Sequence, residues 1–133
     1  MLKDSHSEIF TVGIGGAAGD GVLEAGSSLG TLLRDLGYEV YLSSNYPSLI
    51  RGGHNFVRLT FGKEKIWNDH TELDTLIALN EETVKLHLHE LNKDAVVFAD
   101  AFETSDIEKN WSQRGSCANE IFCQKTHITR NYS

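Results

Sequence analysis

The chain is poor in the residues that build crosslinked, membrane-spanning or nucleic-acid-binding proteins. It has two cysteines, Cys117 and Cys123, with five residues between them in a polar segment. That is neither a disulfide framework nor the CxxC spacing of zinc and redox sites, and two thiolates cannot hold a four-cysteine iron–sulfur cluster. Both are expected to be free thiols in a reducing compartment. There is a single proline, Pro47, and no repeat or low-complexity tract, so the connections read as compact. No apolar run approaches the roughly 18 residues of a membrane span. Residues Met1 to Ser7 are polar and do not form a charged-then-apolar signal. A cytoplasmic protein with no membrane partner is expected. Positive charge is also scarce: 12 Lys and Arg against 19 Asp and Glu leave a net charge of −7, with no basic stripe to neutralise phosphates, which argues against nucleic acid as a partner. At 133 residues there is room for one core and not for a large enzyme with several cofactors.

What is present is an alternation of strand and helix signals. Glu8 to Ile14 is an apolar run that ends in Gly15-Gly16, which predicts a buried strand leading into a flexible turn. From Val22 to Leu36 apolar residues recur as Val22, Ala25, Leu29, Leu32, Leu33 and Leu36, the stripe of a helix lying on a core. Asp20 is placed to cap its start and Gly37 its end. Tyr38 to Leu42 reads as a second strand, parallel to the first through a right-handed crossover. Phe56 to Phe61, Asp74 to Leu79 and Ala95 to Ala99 read as further strands, with a helix over Glu81 to Leu88 after Asn80. The expected fold is α/β, an open, mostly parallel, Rossmann-like three-layer sheet over residues 1–102 and truncated at its C-terminus. Residues 103–133 carry no element that the pattern defines.

Seven of the twelve glycines lie between Gly13 and Gly30, and five of them, Gly13, Gly15, Gly16, Gly19 and Gly21, are expected to fill the strand-to-helix turn. A glycine turn opening a helix brings bare backbone and a positive dipole end together, which suits a phosphate or carboxylate. Gly13-x-Gly15-x-x-Ala18 fits a dinucleotide fingerprint, yet the second strand ends Leu42-Ser43-Ser44-Asn45 without the acid that would hold a ribose. No Lys-Ser or Lys-Thr follows, which excludes a P-loop. Gly19-Asp20-Gly21 with Asn45 resembles the magnesium and diphosphate motif of thiamine diphosphate enzymes, but a cap at Asp20 and a turn at Asn45 are the simpler uses.

A second long loop, Ser43 to Asn55, leaves the carboxyl end of its strand and so lies on the same sheet edge as the glycine turn. Arg51 offers a planar, permanently charged fork for an anion, and Gly52-Gly53 lets a ligand or partner approach the backbone. His54 is expected to be a hydrogen-bonded structural residue. His87 and His89, two apart on a helix, face different ways, cannot share a metal, and are expected to face solvent. No metal site and no catalytic residue is expected on this chain.

Four blocks together, Gly13 to Leu23, Ala25-Gly26, Tyr46-Pro-Ser-Leu-Ile-Arg-Gly-Gly-His54 and Leu76 to Asn80, resemble in order and spacing the gamma domain of 2-oxoacid:ferredoxin oxidoreductases. The Tyr46 to His54 block is the most specific. The resemblance covers about Glu8 to Asp100 and implies an enzyme component that is inactive alone. In that family a 2-oxoacid is decarboxylated on thiamine diphosphate, iron–sulfur clusters pass electrons to ferredoxin, and the acyl group goes to coenzyme A. The resemblance places thiamine diphosphate, magnesium and the clusters on partner alpha, beta and ferredoxin-like delta chains. On this chain it implies contacts to coenzyme A or to other domains at Gly15, Gly16, Gly19, Asp20, Gly21, Tyr46, Arg51, Gly52, Gly53 and His54. Ala17 to Asp20 also resembles the variant in which the gamma domain is fused ahead of the alpha domain, while Ser116 to Ser133 matches nothing in the family pattern. A stand-alone nucleotide- or coenzyme-binding module is the alternative. The isolated chain is expected to bind no iron and to show no thiamine-dependent oxidation of 2-oxoacids, to be checked by metal analysis and dye reduction.

Overall fold

In the computed structural model, which describes residues 9–45, 53–67, 72–99 and 121–123, the first strand, β1 (Phe10–Ala17), runs on through Gly13, Gly15 and Gly16. These three glycines therefore belong to the strand, and only Gly19 and Gly21 lie in the turn, which corrects the expectation that all five fill it. The reason is close packing. A Cβ on Gly15 would sit 2.3 Å from Thr83 Cγ2, and one on Gly13 would sit 2.6 Å from the Phe56 ring. The missing side chains make room for neighbours on the sheet face.

β1 is followed by α1 (Val22–Asp35), β2 (Glu39–Asn45), β3 (His54–Gly62), β4 (Leu73–Ala78), α2 (Glu81–His87), a single 3-10 turn at Leu88–Glu90, β5 (Leu91–Ala99) and β6 (Ile121–Cys123). The six strands form one sheet in the order β2-β3-β1-β4-β5-β6. β1, β4, β5 and β6 pair in parallel; β3 lies antiparallel to both β1 and β2, so β2 also points with the majority. The first two strands are thus parallel as expected, but they are not neighbours. The β2–β3 connection folds β3 back as a hairpin into the gap between them. β6 is a strand that the sequence pattern after residue 102 did not define.

α1 ends as the sequence predicts. Gly37 takes φ +92°, its N–H reaches Arg34 O at 2.9 Å, and the Tyr38 N–H reaches Leu33 O at 3.0 Å, the paired bonds of a Schellman cap. Its inner face differs from the expected stripe. Val22, Gly26, Gly30 and Leu33 are buried, whereas Leu32 and Leu36 stand 56% and 66% exposed and Ala25 is also exposed. A Cβ on Gly26 would come 2.6 Å from Val57 Cγ1. The helix is rotated to lay its glycines on β3, because backbone approaches the sheet more closely than leucine can.

The two helices cover opposite faces. Val22 packs with Ile14 and Val57 on one side, while Val84 packs with Phe56, Leu76, Ala78 and Val97 on the other. Phe56 and Val57 are consecutive on β3, so their side chains project from opposite faces of the sheet. This is the expected three-layer α/β arrangement. Asp74, at a register shift in β4, ties β1, β4 and β5 together at the amino edge of the sheet: it accepts the Thr11 N–H at 2.9 Å and a hydrogen bond from the Asn92 amide. Gly15→Ala should lower stability by about 1–3 kcal/mol, the usual effect of overpacking a closed site, because Thr83 is fully buried and cannot retreat. A urea midpoint measured against the parent chain checks this.

Candidate functional site

The carboxyl ends of β1 and β4 lie side by side, and their helices leave to opposite faces, which opens the crevice where α/β sheets commonly bind ligands. On the β1 side the chain turns through Ala18 to Gly21, with Gly19 at φ +100° and Gly21 at φ +76°. Only glycine adopts these left-handed angles without strain. Asp20 does not cap α1. Its carboxylate turns back and accepts the Ala17 N–H at 2.8 Å, while the Asp20 N–H reaches Ala17 O at 3.0 Å. The N-cap position is Gly21, and no side chain caps the helix there. The two left-handed glycines swing Asp20 away from the helix axis, which corrects the expected cap.

On the β4 side, Asn80 does cap α2, its Oδ1 accepting from Thr83 N at 2.9 Å and from the Thr83 hydroxyl at 2.7 Å. The Leu79 N–H reaches Gly15 O at 2.9 Å and closes the strand pair.

The glycine turn meets the end of the second loop. The Ala18 N–H donates to Gly53 O at 2.8 Å, and His54 stands opposite Ala17 in the β1–β3 register. Gly19, Asp20, Gly21, Gly53 and His54 are therefore gathered on one edge. Gly15 and Gly16 lie one step inside β1, Gly15 against Thr83 and Gly16 against Leu79 and the Asp20 carboxylate. Tyr46, Arg51 and Gly52 lie outside the described residues. The loop itself is shorter than expected, since Ser43, Ser44 and Asn45 pair with Arg58, Val57 and Phe56 as part of β2.

A polar cluster that the sequence reasoning missed backs this edge. His54 Nε2 lies 2.9 Å from His87 Nε2, His87 Nδ1 lies 2.9 Å from Glu90 Oε2, and Arg58 donates to the same oxygen at 2.7 Å. The Phe56 and His87 rings stack with centroids 3.6 Å apart. His87, expected to face solvent, is instead packed between β3 and the 3-10 turn with a side chain only 13% exposed, whereas His89 is exposed. The signal was present as spacing: His54, Phe56 and Arg58 alternate onto one face of a strand, and His87 and Glu90 stand one helical turn apart. Burial lowers the His87 pKa below its ordinary 6.5 and outweighs the opposing pull of Glu90. Burial would raise Glu90, but the hydrogen bond from His87 and the charge of Arg58 overcome it and hold the carboxyl below its ordinary 4.5.

Among the described residues, no three His, Cys, Asp or Glu side chains converge to hold a metal ion, and no helix is long and apolar enough to cross a membrane. Asp20 is committed to the Ala17 N–H.

The family described as pyruvate ferredoxin/flavodoxin oxidoreductase matches residues 11–123. Among curated proteins, the chain is 32% identical over 108 residues to the 2-oxoacid:ferredoxin oxidoreductase subunit alpha of a Sulfolobus species, a match covering 81% of this chain and 17% of that protein. It is 28% identical to the corresponding subunit of Saccharolobus solfataricus, over 72% of this chain and 15% of that one. The chain thus spans about a sixth of the length of these relatives. Among solved structures, 2-oxoglutarate:ferredoxin oxidoreductase from Magnetococcus marinus, with 2-oxoglutarate, coenzyme A and succinyl-CoA bound, superposes at a TM-score of 0.66 with 20% identity, covering 71% of this chain and 17% of that one. The gamma subunit of a keto/oxoacid ferredoxin oxidoreductase from Geobacter sulfurreducens gives a TM-score of 0.57 with 23% identity, over 70% and 51% of the two chains. A pyruvate oxidoreductase subunit from Thermotoga maritima gives 0.62 with 16% identity, over 77% and 55%. These three share the fold.

The polar cluster makes stability depend on pH. His87 is harder to protonate folded than unfolded, so stability is lost as pH falls from 6.5 through its lowered value. Glu90 is easier to ionise folded, so its contribution is lost as pH falls from 4.5 through its own lowered value. The urea midpoint should therefore fall between about pH 7.5 and about pH 5.5, and His87→Gln, which cannot titrate, should flatten the profile in that interval.

Proposed function

The chain belongs to the pyruvate ferredoxin/flavodoxin oxidoreductase family, and on that premise we propose that it is the gamma-type component of a thiamine diphosphate-dependent 2-oxoacid:ferredoxin oxidoreductase. Its part is to assemble the complex and to contact coenzyme A, and it carries no catalytic group of its own. The observation that carries this reading is the Ala18 to Gly53 hydrogen bond. It joins the glycine turn to the end of the Tyr46–His54 block, so the two most distinctive motifs of the resemblance serve one edge. The alpha-subunit relatives support a gamma-type domain joined to an alpha-type domain in one polypeptide, and the gamma-subunit fold of the Geobacter protein supports the domain type.

Thiamine diphosphate supplies the electron sink for decarboxylation, and the iron–sulfur clusters carry electrons to ferredoxin. We assign both, with magnesium, to alpha, beta and delta-type partners in a cytoplasmic complex. The contribution of this chain is binding. The left-handed Gly19 and Gly21 leave bare backbone at the uncapped start of α1, and Gly53 presents backbone beside it. Arg51, two residues earlier in sequence, supplies the positive charge that would hold a phosphate or a partner carboxylate. A coenzyme A molecule bound in the Magnetococcus enzyme supports that ligand class.

If Arg51 serves binding and not the fold, Arg51→Ala should change the unfolding free energy read from a urea titration by less than about 1 kcal/mol. In the complex completed with its alpha-type and beta-type parts, whether joined to this domain or separate, it should weaken coenzyme A binding by about tenfold or more, the worth of one charged hydrogen bond, or reduce assembly in a pull-down. An unchanged titration together with unchanged assembly would leave the loop a connection and overturn its assigned role.

A further inference from the structure

The two faces of the sheet are covered unequally. Over β4 and β5 the α2 face is closed, with Leu76 and Val97 only 0% and 2% exposed. On the opposite face of the same strands, Ile77 and Val96 are half-buried and Phe98 is 46% exposed. Ile77 and Phe98 are register partners, and Ile77 packs at the margin of the cluster under α1, so this row belongs to the α1 face. α1 itself lies over the other half of the sheet: Gly30 stands near Leu59 of β3 and Val40 of β2, and Val22 packs with Ile14 of β1. Among the described residues, no helix lies over β4 and β5 on that side.

α1 turns an apolar flank toward this half of the sheet. At about 100° per residue, Gly30, Gly26 and Val22 follow one another round the helix from β2 toward β1, and Leu29, Leu36 and Leu32 come next in the same sense. Leu29 is half-buried, and Leu32 and Leu36 are each more than half exposed. With Ala25 they recur at steps of four, three and four residues, the seam by which one helix packs on another. Packed helices stand about 8–10 Å apart and paired strands about 4.8 Å apart, so a helix beside α1 would lie two strands away, over β4. The result is a trough with a wall of Leu29, Leu32 and Leu36 and a floor of Ile77, Val96 and Phe98.

Three observations say what fills it. The crossovers from β1 to β2 and from β4 to β5 step in opposite directions over opposite faces, so both have the same hand. A link of that hand from β5 to its parallel neighbour β6 crosses the α2 face, which leaves the trough to another part of the enzyme. Its borders are acidic, with Asp35 exposed on α1 and Asp94 exposed on β5, two residues before Val96, in a chain of net charge −7. At its carboxyl end the trough runs into the crevice between β1 and β4, and in the Sulfolobus relative the region shared with this chain is 17% of the polypeptide. We propose that the trough seats an amphipathic helix of the alpha-type part of the enzyme, apolar where it meets Leu32 and Ile77 and basic along its borders. This rests on the reading of the chain as a gamma-type component and adds the face by which that component is held.

The test is hydroxyl-radical footprinting of the full 133-residue chain alone and of the enzyme completed with its alpha-type and beta-type parts, whether joined to this domain or separate. Leu32 and Leu36 should be oxidised readily in the chain alone and about fivefold or more slowly in the completed enzyme, as side chains at an interface core are. Leu32→Glu should keep the urea midpoint of the chain and weaken capture of the alpha-type part by about tenfold or more. Leu23→Glu, at an exposed leucine on the flank of α1 turned from the trough, should leave capture unchanged. If the parent chain does not assemble, the gamma-type reading fails and this proposal with it. If it assembles while both leucines keep their free rate of oxidation, or while Leu32→Glu is captured as well as the parent, the docking seat alone is overturned. Protection of both leucines already in the chain alone also overturns it, assigning the trough to the chain's own residues if light scattering finds a monomer and to a second copy if it finds a dimer.

Discussion

A central strand with three glycines can be stable only if its neighbours supply the side chains it lacks, and this condition shapes the whole domain. β1 is paired on both edges and covered on both faces. Phe56 from β3 fills the space over Gly13, and Thr83 from α2 fills the space over Gly15. α1 repeats the device from the other side, bringing Gly26 down onto Val57 of β3. Glycine in a strand normally weakens it through lost packing and extra chain entropy. Here the loss is offset by close approach, and the close approach sets how far each helix stands from the sheet. Pairing of β1 with β4 up to Gly15 and Ala78 brings the strand ends together, so the turn at Ala18 and the cap at Asn80 border one crevice.

The same packing explains the polar cluster. The Phe56 ring fills the space over Gly13, and the His87 ring stacks on it. A histidine packed this far from water must find partners for its nitrogens in the protein. Glu90 and His54 provide them, and Arg58 offsets the charge of Glu90. The edge that carries the glycine turn is therefore braced by a chain of side chains that runs from the start of β3 to the 3-10 turn after α2.

Much of this was legible in the amino-acid sequence, and the gaps have physical causes. Apolar runs and stop signals located β2 to β5 and both helices, because each is set by local alternation, a cap or a glycine stop. Gly37 and Asn80 were legible as helix ends for the same reason. The role of Gly13, Gly15 and Gly16 was not, since a glycine that admits a distant side chain looks the same in sequence as one that turns the chain. The face of α1 was misjudged at Leu32 and Leu36 because residue size does not register how near a glycine backbone can come. Asp20 was misplaced because its partner depends on the left-handed angles at Gly19 and Gly21. His87 was read as exposed because the ring that buries it lies on a strand more than two dozen residues earlier. The meeting of the two loops, by contrast, followed from one rule, that both leave carboxyl ends of strands pointing the same way.

The strand order carries a consequence for how the chain acquires its structure. β1 is made first, yet its hydrogen-bonding partners come far later: Thr11 waits 49 residues for Thr60 and 63 for Asp74. During synthesis the future centre of the sheet therefore emerges with both edges open, and the β2–β3 hairpin, whose strands are joined locally, can form before its host. Such non-local pairing is slow and leaves strand edges exposed in the interval. The sparse side chains of β1 lessen that hazard, because a nascent strand with glycine at three of its eight positions offers little apolar surface for wrong association. Its glycines thus serve the chain twice, as space for neighbours once folded and as a low-adhesion segment before they arrive.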